Sequence, residues 1–221
     1  PKGIFFIASV EQPVTMGLLS SVRQLLGISA EQAATREADP EDLFEMSTAT
    51  LTMEANLGFV PTGEAALCFG NVDSTDFQDA VDAVQEILTV GESGTVADFR
   101  EDEYGYRWIV LEASEFEDLV TGIHFASDTL IEHRYGSRLQ AAVFAFEATD
   151  RASAETGAPA YWIYSFRRGT FYPFAPDGEQ SRDQSTELKL QTVLDGELTI
   201  EDDREYWYPL WPDSPGGHPW D

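Results

Sequence analysis

An α+β domain, with a mostly antiparallel sheet packed by helices, is the fold that this 221-residue sequence predicts. Three observations carry the prediction. Several short runs alternate apolar and polar residues, the period of a half-buried strand. Between them lie segments whose apolar residues recur every three or four positions, the period of an amphipathic helix. The connections are short, so strand pairs are separated by single helices or tight turns. This order is also that of small secretion-chaperone-type domains, an analogy of fold alone.

In chain order, Gly3 to Val10 is apolar, but about eight residues cannot cross a bilayer, and Pro13 follows. Met16 and Gly17 open the well-patterned part of the chain, which makes residues 1–15 a leader and Met16 the expected native start. Leu18, Leu19, Val22, Leu25 and Leu26 form one face of an amphipathic helix within residues 16–28, ended by Gly27. That helix is a candidate contact surface for a partner protein or a membrane, or it docks on its own domain. One Arg on its polar face is a weak attraction for anionic lipid. Residues 29–46 are polar and acidic, with Pro40, and read as a linker.

A single α+β domain is expected over residues 47–221. Leu51, Met53 and Ala55 alternate with Thr50, Thr52 and Glu54, as in a strand. Gly58 and a turn at Pro61 to Gly63 separate it from a second strand, Glu64 to Phe69. Asp73, Ser74 and Thr75 offer capping side chains to a helix with Phe77, Val81, Val84, Ile87 and Leu88 inward and Gly91 at its end. Strands follow at Val96 to Arg100 and Tyr106 to Leu111. Ser114 and Glu117 form a capping box for the longest helix, which turns Phe116, Leu119, Val120, Ile123, Ser127, Leu130 and Ile131 inward and stops at Tyr135 and Gly136. Ala141 to Phe146 is a strand, and Tyr161 to Arg167 with Thr170 to Phe174 is a hairpin turning near Gly169. A helix around Gln184 to Leu194 ends at Gly196. Pro209 and Pro212 interrupt Tyr206, Trp207, Tyr208, Leu210 and Trp211, which predicts an extended aromatic tail.

Composition narrows the setting. Forty Asp and Glu against thirteen Lys and Arg give a net charge of -27, and only Lys2 and Lys189 are lysines. Such self-repulsion opposes compactness at ordinary ionic strength, whereas near molar salt the screening length falls to roughly 3 Å. The reading is an intracellular protein of an extreme halophile, with carboxylates as a solvating surface and Arg kept for bidentate pairing. A nucleic-acid partner is disfavoured, since phosphate contacts need grouped cations. The chain is not an acidic disordered tail, because it holds five Trp, eight Tyr and fourteen Phe. The lone cysteine, Cys68, sits in an apolar run and reads as a small core residue.

Chemistry-bearing motifs are few. The histidines His124, His133 and His218 have no metal-ligand spacing, and no cofactor or metal is expected. Nucleophile elbow, P-loop and dinucleotide fingerprint are absent. His124 borders the apolar stripe of its helix and reads as a hydrogen-bonded core histidine. Glu101 to Glu103 and Glu201 to Asp203 read as solvated turns. The most pointed feature is cationic: Arg134 with Arg138, and Arg167 with Arg168. These form an anion- or partner-binding patch rimmed by Tyr161, Tyr164 and Tyr172, or they pair with carboxylates and fix the hairpin. A base such as Asp128 or His124 in one cleft with them points to an enzyme acting on a small anion.

Three stretches carry a resemblance: Thr35 to Phe44; Phe116 to Val120 with Tyr135 to Leu139; and Tyr161 to Gly169 with the tail Tyr206 to Pro212. Together they resemble the PspA-associated protein PspAB family of halophilic archaea, from Met16 to the C-terminus. The resemblance implies a non-enzymatic accessory or regulatory role in a phage-shock-type membrane-stress response. It implies as partner a PspA-like protein or an HtpX-like membrane metalloprotease, and a cytoplasmic location with at most peripheral contact at the inner face of the membrane. It carries no catalytic residues.

Overall fold

A computed structural model describes residues 36–90, 95–178, 180–212 and 217–221. The leader, the helix expected over 16–28, the first part of the linker (29–35) and the Gly91 stop lie outside those residues.

The described chain enters through a 3-10 turn, Pro40–Phe44, begun by Asp39, whose carboxylate accepts the Glu41 N–H. The turn runs straight into helix α1, Glu45–Thr52, and a π-helical turn, Met53–Leu57. Two expectations are corrected here. The run around Leu51 is not a strand: Met46, Ala49, Thr50 and Met53, spaced i, i+3, i+4 and i+7, are the buried set, and Leu51 is 66% exposed. The Thr50 hydroxyl donates to the Met46 carbonyl one turn back, so it is satisfied within the helix. The end of the acidic linker is also core, since Leu43 and Met46 are fully buried.

Gly58, in the left-handed region at φ 71, stops the π turn. Strand β1 then spans Phe59–Gly70, and the turn expected at Pro61 to Gly63 is a bulge inside it. The register against β4 shifts between Pro61 and Ala65, where Pro61 has no N–H to give and Gly63 sits at φ 88. Helix α2, Thr75–Val90, is begun by Ser74, whose hydroxyl accepts the Phe77 N–H at 3.2 Å. Strands β2, Val96–Glu101, and β3, Tyr106–Glu112, precede helix α3, Phe116–Glu132. The N-cap of α3 is Glu115, without a side-chain bond, so the Ser114 capping box does not form: Ser114 lies one residue too early. Ile87 and Ile131 stand at the helix margins, 43% and 38% exposed, not inward. Strands β4, Leu139–Ala148, β5, Pro159–Ser165, and β6, Thr170–Phe174, and helix α4, Gln184–Leu194, complete the regular elements among the described residues.

The six strands lie in the order β2-β3-β1-β4-β5-β6, each antiparallel to its neighbours, which bears out the α+β reading. Alternation gives the sheet two apolar faces. Leu67, Ile109, Phe144, Trp162 and Phe171 point to the face under the helices. Cys68, Trp108, Val143, Ile163 and Tyr172 point to the opposite face, where Trp207 and Trp220 of the C-terminal tail cover them.

Candidate functional site: the strapped face of the sheet

The tail is fastened where it leaves the sheet. At the β5–β6 turn Gly169 takes φ 65, and a Cβ there would lie 3.0 Å from the Glu37 carbonyl oxygen. The turn directs Arg168 inward, leaving it 6% exposed. Its Nε and Nη2 donate to Glu201 Oε2 and Oε1 at 2.7 and 3.0 Å, a bidentate pair. The Thr170 hydroxyl and the Asp203 N–H donate to the same carboxylate at 3.1 and 3.0 Å. The guanidinium lies 3.9 Å above the Tyr206 ring. Burial pushes the Glu201 carboxyl up, and the bonds from Arg168, Asp203 and Thr170 outweigh it, so the group is held below the usual carboxylate range. The Arg168 guanidinium is raised by its bond to Glu201 against the opposing effect of burial. Beside this knot the backbone joins β6: the Phe171 N–H donates to the Thr199 carbonyl and the Glu201 N–H to the Phe171 carbonyl, both at 2.8 Å.

Beyond Glu201 side chains hold the strap down. Trp207 stacks on Tyr172 with centroids 6.5 Å apart, and its indole N–H donates to the Glu201 carbonyl at 2.9 Å. Strap carbonyls find donors in the sheet and before α4: Arg182 Nη1 reaches that of Trp207 at 2.7 Å, and the Tyr172 hydroxyl that of Tyr208 at 3.1 Å. Trp211 meets Phe174 edge-on at 5.0 Å. Toward the other side of the sheet, His218 Nδ1 lies 3.0 Å from the Tyr161 hydroxyl, and Nε2 lies 3.1 Å from Glu64 Oε2 on β1. His218 stacks on Trp220 at 4.7 Å, and Asp221 pairs with Arg100 of β2 at 3.0 Å. Burial, then the charges of Glu64 and Asp221, hold the Tyr161 phenol protonated above its ordinary range. The strap therefore reaches from β6 at one edge to β2 at the other.

Several expectations are corrected by this geometry. Of the four arginines, Arg168 takes the ion-paired reading, buried against Glu201, while Arg167 is half-buried on the turn and Arg134 and Arg138 stand exposed after α3. Tyr161, Tyr164 and Tyr172 do not rim a surface but are 1%, 0% and 3% exposed. Tyr161 and Tyr172 lie under the strap, and the Tyr164 hydroxyl donates to Asp42 Oδ2 at 2.9 Å on the helix side. Glu201 is not a solvated acid, and Asp102 accepts three bonds, from the N–H groups of Tyr104 and Tyr106 and the Trp108 indole. His124 is the hydrogen-bonded core residue expected of it: it is buried on α3, with Nε2 3.1 Å from Glu41 and Phe44 against its ring. Leu18, Leu19, Val22, Leu25 and Leu26 lie outside the described residues. The one sequence signal for the strap was its aromatic density; nothing local marked Glu201 as the partner of Arg168, 33 residues away.

Among the described residues no group of three or more His, Cys, Asp and Glu is placed to hold a metal, and no helix is long and apolar enough to cross a membrane. A family model described as PspA associated protein B matches residues 16–220. No curated protein and no solved structure matches the chain.

Proposed function

We propose, from the premise that this chain belongs to the PspAB family of PspA associated proteins, that it is an accessory protein of a phage-shock-type membrane-stress response that acts by binding another protein. One observation carries the reading: among the described residues the apolar sheet face with Trp108, Val110, Val143, Ile163 and Tyr172 is covered by irregular chain around Trp207 and Trp220, not by a helix layer. Chain fastened by a few side chains opens locally at lower cost than a packed helix does, and the face it uncovers suits an apolar partner segment. The strap then competes with the partner, and Arg168–Glu201 sets how readily it yields. A PspA-like protein is the first partner to test, and the membrane-domain-free part of an HtpX-like protease the second. Leu18 to Leu26, Arg134 and Arg138 remain candidate contacts outside that face, and contact with the membrane is peripheral, at its inner surface.

The test is a titration of the PspA-like protein from the same genome in high KCl, with the full chain and with a Trp207→Ala/Trp220→Ala form. Tighter binding to the loosened form is the expected result. Equal affinity of both forms removes the strapped face from the reading, and no complex with either removes PspA as a direct partner.

A further inference from the structure

A second region carries an arrangement that the strap does not use. The π turn at Met53–Leu57, the loop after β4 and helix α4 enclose a groove with about 350 Å³ of free space, its open mouth included. Leu57, Phe59 and Leu190 form its apolar floor, and Arg151, Ser153 and Lys189 belong to its walls. Among the described residues no carboxylate lines it, although acids outnumber bases forty to thirteen in this chain. Arg36, Arg100, Arg168 and Arg182 each lie within 3.0 Å of a carboxylate, whereas Arg107 and Arg204 bond to glutamines and Arg134 and Arg138 stand exposed after α3. Arg151 and Lys189 make no ion pair among the described residues.

Arg151 is also positioned. The Thr149 N–H and hydroxyl both donate to the Gly58 carbonyl, at 2.8 and 2.7 Å, which clamps the loop onto the end of the π turn. A Cβ on Gly58 would lie 2.7 Å from the Ala152 nitrogen, so only glycine allows that approach. The clamp brings Arg151 Nη2 to the Ala55 carbonyl at 3.1 Å, where it satisfies an end-of-helix acceptor. Its remaining N–H donors have no described partner. A guanidinium anchored by one hydrogen bond and one of the chain's two lysines, both exposed, thus flank an apolar floor; the one acid whose charge is felt by Lys189 among the described residues, Asp183, is outside the lining.

We propose that this groove is a binding site for an organic carboxylate on a short apolar stem, with the carboxylate between Arg151 and Lys189 and the stem on Leu57, Phe59 and Leu190. The fork of Arg151 and the point charge of Lys189 match one carboxylate, and Leu57, Phe59 and Leu190 offer its stem an apolar surface. Free short-chain acids and the C-terminus of a peptide share that chemistry.

The test uses the full chain, isotope-labelled, at the lowest KCl that keeps it folded, with hexanoate as probe and the amide signals of Leu57, Ser153 and Leu190 as readout. Saturable low-millimolar binding is expected. Lys189→Gln and Arg151→Gln are each expected to weaken it about tenfold, with unchanged circular dichroism. Added KCl should weaken it further. A tripeptide ending in a free carboxylate, compared with its amide, distinguishes the sources: tighter binding than hexanoate identifies a peptide terminus, and weaker binding a free acid. Equal binding of hexanol, equal binding of inorganic phosphate, insensitivity to both substitutions, or no saturable shift would each overturn the site. None of these readouts depends on the strap or on a PspA-like partner.

Discussion

On one face the sheet is covered by four helices that contribute Met46, Phe77, Val84, Leu119, Ile123 and Leu190 to a continuous core; on the other it meets the residues around Trp207 and Trp220. A helix arrives with its backbone groups already bonded, so it adds apolar side chains at little polar cost. Irregular chain arrives with carbonyls that must find donors, and here Arg182 and Tyr172 supply two of them. The difference teaches where stability is concentrated. The helix face distributes it over many contacts, whereas the strap depends on a few pins, each of which can be released.

The comparison can be broken most severely from the helix side. Phe144→Ala, at a position with no exposed surface and a ring 5.8 Å from Phe116, should cost about 3–5 kcal/mol and lower the urea midpoint of the whole domain. A loss confined to the tail would contradict the distributed core. Next in size is Arg168→Met, which leaves Glu201 buried without its cation. A loss of about 3 kcal/mol is expected, together with faster hydrogen exchange in residues 199–207. The same pair gives a pH dependence. The Glu201 carboxyl is held below its ordinary value in the folded chain, so its contribution is present above the unfolded pKa, about 4.3, and is lost as pH falls through the folded one. Acid unfolding curves of Arg168→Met and of the parent should therefore converge at low pH, and parallel curves would contradict the role given to Glu201.

Smaller effects sharpen the contrast. Trp220→Ala removes the stacking partner of His218 and should cost about 1–2 kcal/mol, read as faster exchange near the C-terminus with little change in the unfolding midpoint. An equal drop in the global midpoint would mean that the strap belongs to the same cooperative unit as the helices. Leu51→Ser, on the outer side of the helix layer, should change stability by less than about 0.5 kcal/mol in the same urea titration.

Much of the sheet was legible because burial on both faces leaves a strong local pattern. Ala141 to Phe146, Tyr106 to Leu111, the hairpin around Gly169 and the helix around Gln184 to Leu194 were read close to their observed limits. The segment around Leu51 was misread because its alternation competes with a helical spacing of Met46, Ala49, Thr50 and Met53, and only the presence of a core beneath it selects between the two. The cations were the least legible. Arg167 and Arg168 are adjacent in sequence, yet the turn at Gly169 buries Arg168 to 6% exposure and leaves Arg167 intermediate. Arg151 and Lys189, which share a groove, are separated by 38 positions and by a hairpin.

The sequence by itself determined the fold class, most of the strands and helices, the aromatic tail, and a strongly acidic composition, because each is written in local period, residue counts or turn residues. Only the tertiary structure decided that the tail lies across the second face of the sheet, that Arg168 meets Glu201, and that two cations from distant segments face one acid-free groove. Local pattern fixes how a segment folds against a generic apolar surface, while the pairing of charges depends on which distant segments share a neighbourhood, and no period in the chain records that.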